Sequence, residues 1–273
     1  MTDPEFVAPT MLHHVLDVVG VDDAIIVSGG TSLAVMLKQR LIEPEKLVWL
    51  GRVAELKGIR QAADGSWRVG ACTTLAEVAA SPELWRDAPM VAQAASVVAN
   101  PRIRNVATVG GALVHADPRQ DLPPALLAAG AIVGIRGPGG ERLVPLRNGF
   151  FRGLMETAVE HGEVVTHVCV PPRRDAVEAY RRFTPQSVDD YPTVSVAARL
   201  ERKDSGRAGQ LNLALGGVAP TPVLVQTDVA NAAAAARAAA SPTSDERGSA
   251  EYKTAMAEVW TQRVLAELLE GET

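Results

Sequence analysis

The chain has 273 residues, 47% of them hydrophobic and 22% charged, with a formal net charge of -5; this is ordinary globular composition at a length that suits two domains. The absence of any long basic run excludes nucleic acid and anionic membrane as partners. Two cysteines, Cys72 and Cys169, and five histidines without ligand spacing exclude an iron–sulfur cluster, which needs about four thiolates, and argue against an intrinsic metal site.

The opening MTDPEFVAPT lacks the basic and apolar stretches of a secretory signal. No apolar run approaches the roughly 20 residues of a transmembrane helix, so a cytoplasmic protein is expected.

Met11, Leu12, Val15, Leu16 and Val19 recur at helical spacing and predict a helix over 9–19. Ala24–Val27 is a short apolar, β-branched run, hence a buried strand. Ser28-Gly29-Gly30 breaks it, a helix is expected over 32–41 with Pro44 marking the exit, and Leu47–Leu50 is a further strand. A second unit follows. It has a strand at 68–71, a helix at 74–80 capped by Thr73 or Thr74, and a helix at 90–99. The stretch 100–111 is expected to be irregular. A helix opened by Asp121 and Pro-Pro covers 122–129, and strands cover 131–136 and 164–170.

Pro171-Pro172-Arg173-Arg174 marks the predicted boundary. Residues 1–171 form one domain, with subdomains at 1–55 and 56–171, and 172–273 form the other. The second domain is expected to hold strands at 179–183, 193–200 and 211–218, an alanine-rich helix at 231–240 and a long amphipathic helix at 248–270. Met256, Val259, Trp260, Val264 and Leu268 form the stripe of that last helix expected to face the core.

Two glycine loops carry the chemistry. The first is Val27-Ser28-Gly29-Gly30-Thr31-Ser32-Leu33, between a strand and a helix. Paired glycines let a ligand approach the backbone, and the helix start adds unpaired N–H groups and a positive dipole end. This suits a pyrophosphate, although a plain strand–turn–helix connection explains the same residues. The loop is neither a Walker loop nor a GxGxxG turn. The second loop runs from Arg102 to Ala112 and ends Thr108-Val109-Gly110-Gly111. Two such loops suit a ligand with two phosphates and a ribityl chain, and Asp117 and Asp121 downstream are the right acceptors for sugar hydroxyls.

At these residues a family resemblance appears. SGGTSL with LKQRLIEPEKLVWLGRVAELKGI, then IRNVATVGGALVHADPRQDLPPALLAAGA, then YRRFTPQSVDDYPTVSVAA, LALGGVAPTPV and DERGSAEYKTAMAEV resemble, in order, blocks of the FAD-binding medium subunits of molybdopterin dehydrogenases. The carbon monoxide dehydrogenase and xanthine dehydrogenase types belong there. The resemblance implies an α+β fold with a two-lobed vanillyl-alcohol-oxidase/PCMH-type FAD-binding domain. A smaller C-terminal α+β domain with a three-stranded sheet and helices would follow. It implies a cytoplasmic heterotrimer, expected as a dimer of heterotrimers, with a large molybdopterin subunit and a small [2Fe–2S] subunit. Molybdopterin and the clusters would reside only in those partners.

By motif, Val27, Ser28, Gly29, Gly30, Thr31, Ser32 and Leu33 would wrap the FAD pyrophosphate. Thr108, Gly110 and Gly111 would form the second wall, Asp121 would hold the sugar side, Val165 would lie against the rings, and Arg182 would stand near the flavin. Two positions depart from the family's pattern: Ala112 replaces an asparagine, and Gln186 stands where many members carry arginine.

No nucleophile elbow and no proton-transfer pair is visible, and His115 is a lone histidine, so no catalytic residue is assigned. That fits a relay of electrons. A self-sufficient flavin oxidase and a flavin-free scaffold remain the competing readings. The organic or gaseous substrate and the electron acceptor belong to features outside this sequence.

Overall fold

The computed structural model describes residues 3–20, 23–202 and 208–270; residues 1–2 and 271–273, which the two predicted domains include, lie outside these. The first lobe runs β1 (Glu5–Val7), α1 (Leu12–Val19), β2 (Ala24–Val27), α2 (Thr31–Lys38) and β3 (Lys46–Trp49). Its sheet is parallel in the order β1-β3-β2. Val15 and Val19, one turn apart on α1, bury against Val48 and Leu50. The three residues of β1 are too few to show a period, which hid this strand from the sequence reading.

The second lobe contains β4 (Ile59–Gln61), β5 (Trp67–Gly70), α3 (Leu75–Ala80), α4 (Pro82–Asp87), α5 (Pro89–Ser96), α6 (Pro101–Arg104), α7 (Val109–His115) and α8 (Leu122–Ala129). It continues with β6 (Ile132–Gly137), β7 (Gly140–Pro145), the hairpin β8 (Phe151–Gly153) and β9 (Glu156–Thr157), and β10 (Val164–Val170). Five strands form an antiparallel sheet in the order β4-β5-β10-β6-β7. Helix starts here follow local chemistry. Thr74 makes a reciprocal capping box with Glu77, and Ser81, Asn100 and Thr108 each accept a hydrogen bond from an amide of the helix they precede. The stretch 100–111, expected to be irregular, therefore holds all of α6 and the start of α7. Asn100 followed by Pro101 is a cap with proline at the first helical position, too short for hydrophobic periodicity to register.

The remaining chain forms β11 (Val177–Phe183), β12 (Val194–Arg202), β13 (Ala208–Gly216), β14 (Val223–Thr227), α9 (Ala232–Ala239) and α10 (Ala250–Glu270). Its sheet has four antiparallel strands in chain order, not three. The unforeseen strand is β14. Prolines 220 and 222 directly before it read as loop, yet they end before the pairing of Val223 with Leu215 begins. The core stripe of α10 also differs from the expected one. Lys253, Ala257, Thr261, Val264, Leu265 and Leu268 are the buried positions. Met256 and Trp260 pack at the margin of that core, where Trp260 stacks on Phe183 with centroids 5.3 Å apart. Small residues at 257 and 261 let the helix approach the sheet, a choice that a search for large apolar residues passes over.

Helix α8 joins the two parts. All of its residues, LPPALLAA, are buried, because it packs on α5 and on β12 and β13. A helix covered on every side has no polar face. Its core accordingly includes Tyr180, Ala197 and Ala214 alongside residues of the second lobe. Leu126, 1% exposed, is expected to lose about 2–5 kcal/mol on truncation to alanine, and the loss should appear in a single denaturation transition followed by far-UV circular dichroism. Two separated transitions would show that the sheets fold independently.

Candidate cofactor site

Between the first two lobes lies a cavity of about 670 Å³, within the range of sites that enclose a small molecule or cofactor. Both glycine loops line it. Residues 27–33 contribute along their whole length, and Thr108, Gly110, Gly111 and Ala112 face them from the other lobe. Asp121 and Val165 also line it. Val165 lies at the bulge of β10 opposite β6.

The loops are tied together. Thr108 Oγ1 donates to Ser28 Oγ at 2.9 Å, and Ser28 Oγ donates to Cys72 Sγ at 3.3 Å. Burial pushes the Cys72 thiol up, so it stays protonated. The Ser28 hydroxyl is thus engaged between the lobes instead of being directed at a ligand. Gly29 makes this approach possible: a Cβ there would lie 1.9 Å from Val106 O. Gly30 serves a different need. Its φ of 72° is left-handed, and it turns the chain into α2 without a side-chain cap. The first N–H groups of α2, on Thr31, Ser32 and Leu33, therefore have no intrahelical acceptor and lie at the cavity wall.

The second loop differs from the first. The amide of Val109 bonds Thr73 O at 3.0 Å, and that of Gly110 bonds Ala71 O at 2.8 Å. The Gly111 amide bonds Thr108 Oγ1 at 3.2 Å, and the Ala112 amide bonds Thr108 O at 2.9 Å. These donors hold α7 in place. The second loop is a wall, and only the first is an amide cradle.

Two expected residues stand behind the lining, not in it. Asp117 is occupied by Arg119, with Nε and Nη2 donating at 3.0 and 2.8 Å. Burial alone would raise its carboxyl, but the guanidinium outweighs burial and holds it below the usual range. Arg182 donates to Val97 O and to Asp190 O, and its Nε lies 3.2 Å from Asp121 Oδ1. Its donors face protein groups, so it does not present its charge to the cavity. Asp121 is 3% exposed and also accepts from Tyr180 Oη at 2.6 Å. Burial pushes its carboxyl up to about 6, although Arg182 and Tyr180 oppose the shift. Of the two departures from the family pattern, Ala112 lines the cavity, whereas Gln186 is exposed and does not.

Sequence reasoning missed much of the remaining lining. Leu50, Leu75, Val98 and Ile103 make an apolar wall, and Asp189, Asp190 and Tyr191 arrive from the β11–β12 connection. Nothing local marks these residues as site residues, since only the fold brings them together. Among the described residues, no lysine or arginine lines the cavity, and no cluster of histidine, cysteine and carboxylate groups could hold a metal ion. No helix of the described residues is long and apolar enough to cross a membrane.

The residues present suit FAD. An uncapped helix start with adjacent hydroxyls has the donors that a pyrophosphate requires, and the apolar wall has the surface that a planar ring system requires. A parallel-sheet lobe and an antiparallel-sheet lobe around such a cavity define a two-lobed FAD-binding protein. More specifically, the family described as "FAD binding domain in molybdopterin dehydrogenase" matches residues 3–173, and the chain belongs to that family. It is 34% identical over 278 residues to the carbon monoxide dehydrogenase medium chain of Hydrogenophaga pseudoflava, covering 96% of this chain and 95% of that relative. It is 34% identical over 203 residues to the xanthine dehydrogenase FAD-binding subunit of Escherichia coli O157:H7, covering 74% and 69%. A solved structure of the Hydrogenophaga pseudoflava carbon monoxide dehydrogenase superposes with a TM-score of 0.89 at 34% identity, covering 97% of this chain and 96% of that one. The chain is an FAD-binding oxidoreductase subunit of this class.

Two outcomes follow from the geometry. Gly29→Ala should cost FAD-free protein about 3 kcal/mol through overpacking, and Gly30→Ala about 1 kcal/mol through the left-handed backbone, measured by urea denaturation. Equal losses would contradict the assigned roles. Burial pushes the His115 imidazole down, with Asp117 opposing and Arg119 adding to the shift. As pH falls below 6.5, the unfolded chain takes up this proton before the folded chain does, so stability falls. His115→Asn should lose less stability than wild type between about pH 7.5 and pH 5.5; parallel losses would show that His115 does not contribute.

Proposed function

We propose that this chain is the electron relay of a heterotrimeric molybdenum hydroxylase, taking electrons from the clusters of a small [2Fe–2S] subunit and delivering them to an external acceptor. A large molybdopterin subunit would carry out the hydroxylation. The observation that carries this reading is a cavity with a phosphate-ready end and an apolar end but no free acid–base pair. Of its carboxylates, Asp121, Glu163 and Asp190 are engaged by Arg182, Arg142 and Arg247, Asp189 stands exposed on the β11–β12 connection, and burial holds the His115 imidazole below its ordinary range. FAD, when bound there, supplies a carrier that accepts two electrons and returns them singly or in pairs.

The chain's own residues bind and shield. The α2 amides with Thr31 and Ser32 receive the pyrophosphate, which a helix start favours by charge and by donor geometry. Leu75, Ile103 and Val165 exclude water from the ring end. Asp121, fixed by Tyr180 and Arg182, accepts from a sugar hydroxyl. The domain division is placed at 171/172, supported by the connection 171–176 between sheets and by a family match that ends at residue 173. Assembly as a dimer of heterotrimers and a cytoplasmic location complete the proposal.

Anaerobic stopped-flow absorbance at the flavin band tests it. The FAD-loaded chain alone should not bleach with a purine, an aldehyde or carbon monoxide, and should bleach once the iron–sulfur and molybdenum subunits are added. Bleaching of the lone chain by such a substrate would replace the relay with a self-sufficient oxidase. A purified chain that takes up no FAD would leave only a scaffold.

A further inference from the structure

The segment DERGSAEYK carries Arg247, whose ion pair with Asp190 brings this part of the chain to the cavity wall. Asp245 and Gly248 exchange backbone hydrogen bonds at 3.1 Å and form a tight turn. The Arg247 amide donates to Asp245 Oδ1 at 2.9 Å. Lys253, 3% exposed, secures that turn from α10, its Nζ lying 2.6 Å from Asp245 Oδ1 and donating to Thr243 O at 2.9 Å. The result is a rigid mount for one guanidinium.

That guanidinium points at the β11–β12 connection. Arg247 Nη2 donates to Asp190 Oδ1 at 2.7 Å, and Nη1 pairs with Glu246. The same Asp190 oxygen accepts from the Tyr191 amide at 2.8 Å, and Asp190 O takes Arg182. Arg119 closes the other side, 3.7 Å from Glu246 and 5.4 Å over the Tyr191 ring. Meanwhile residues 185–189 are exposed, so apolar packing does little to fix this connection. Its inner residues Asp189, Asp190 and Tyr191 nevertheless form part of the cavity wall.

We propose that Arg247 is a positioning residue for the cofactor site, holding Asp190 and Tyr191 in place so that the C-terminal part of the chain governs how long FAD stays bound. The inference rests on the FAD reading above. A guanidinium engaged with a carboxylate is a charge-assisted contact with directional donors, and the Arg247 hydrogen bond holds the Asp190 carboxyl below its ordinary range. A lysine at 247 would keep the charge but lose the fork. Asp190 lines the cavity and Arg247 does not, so Arg247 acts through Asp190 without touching the ligand.

The test is the rate of FAD release from the yellow holoprotein on dilution, followed by recovery of flavin fluorescence. The wild-type spectrum establishes cofactor binding before variants are compared, so a colourless wild type would count against the FAD reading itself. Arg247→Ala should release FAD about tenfold faster, the scale of one lost charge-assisted hydrogen bond. Arg247→Lys should fall between that variant and wild type. Asp190→Asn, at a surface connection that the fold tolerates, should release FAD faster as well, and the double variant Asp190→Asn/Arg247→Ala should be no faster than the quicker single one. Arg237→Ala breaks a C-terminal ion pair with Glu258 at 2.9 Å that lies outside the cavity lining, and it should match wild type. Release from Arg247→Ala and Asp190→Asn at the Arg237→Ala rate would overturn the proposal, as would additive effects in the double variant.

Discussion

The site depends on one close approach. Gly29 lies against the backbone of Val106 so closely that no side chain fits between them, and the Thr108–Ser28–Cys72 chain of hydrogen bonds runs across the same seam. This contact sets the distance between a lobe built on a parallel sheet and one built on an antiparallel sheet. The cavity is the space left where those lobes diverge. The uncapped start of α2 and the apolar wall of Leu50, Leu75, Val98 and Ile103 both line that space.

Charge is handled indirectly throughout. With no lysine or arginine on the lining among the described residues, a bound pyrophosphate would meet backbone dipoles and hydroxyls, whose positions the fold fixes in advance. The arginines stand one layer back, each engaged with a carboxylate or a carbonyl. Such pairs contribute little by their own stability, since desolvation offsets much of their attraction. They are better understood as orienting devices, because a guanidinium with directional donors permits few alternative arrangements of the groups around it.

What could be read in advance depended on how local each signal was. Ala24–Val27 and the glycine pair after it were legible because strand, break and helix follow one another within a dozen residues. α8 and β10 were legible because their apolar runs are long. By contrast, α6 depends on a single Asn-Pro pair, β14 follows two prolines, and α10 buries Ala257 and Thr261 where a larger residue was sought. The contrast between the loops was also hidden: both read Thr and Gly-Gly, but only the structure shows that the second loop's amides are already bonded to Ala71, Thr73 and Thr108. Asp190 and Tyr191 reach the cavity from beyond the second sheet, and their part in it depends on the register of β11 with β12.

The shared position of α8 bears on how the protein matures. The helix and its neighbour Asp121 emerge from synthesis well before the strands that cover them. Asp121 gains Tyr180 and Arg182, and α8 gains β12 and β13, only after most of the chain has been made. A nascent chain that has completed both glycine loops still lacks one side of the cavity and the partners of its buried carboxyl. A product truncated before β11 would keep both glycine loops, and the Gly29–Val106 contact that spaces them, but would lack Tyr191 on the cavity wall and the cover that β12 and β13 give α8.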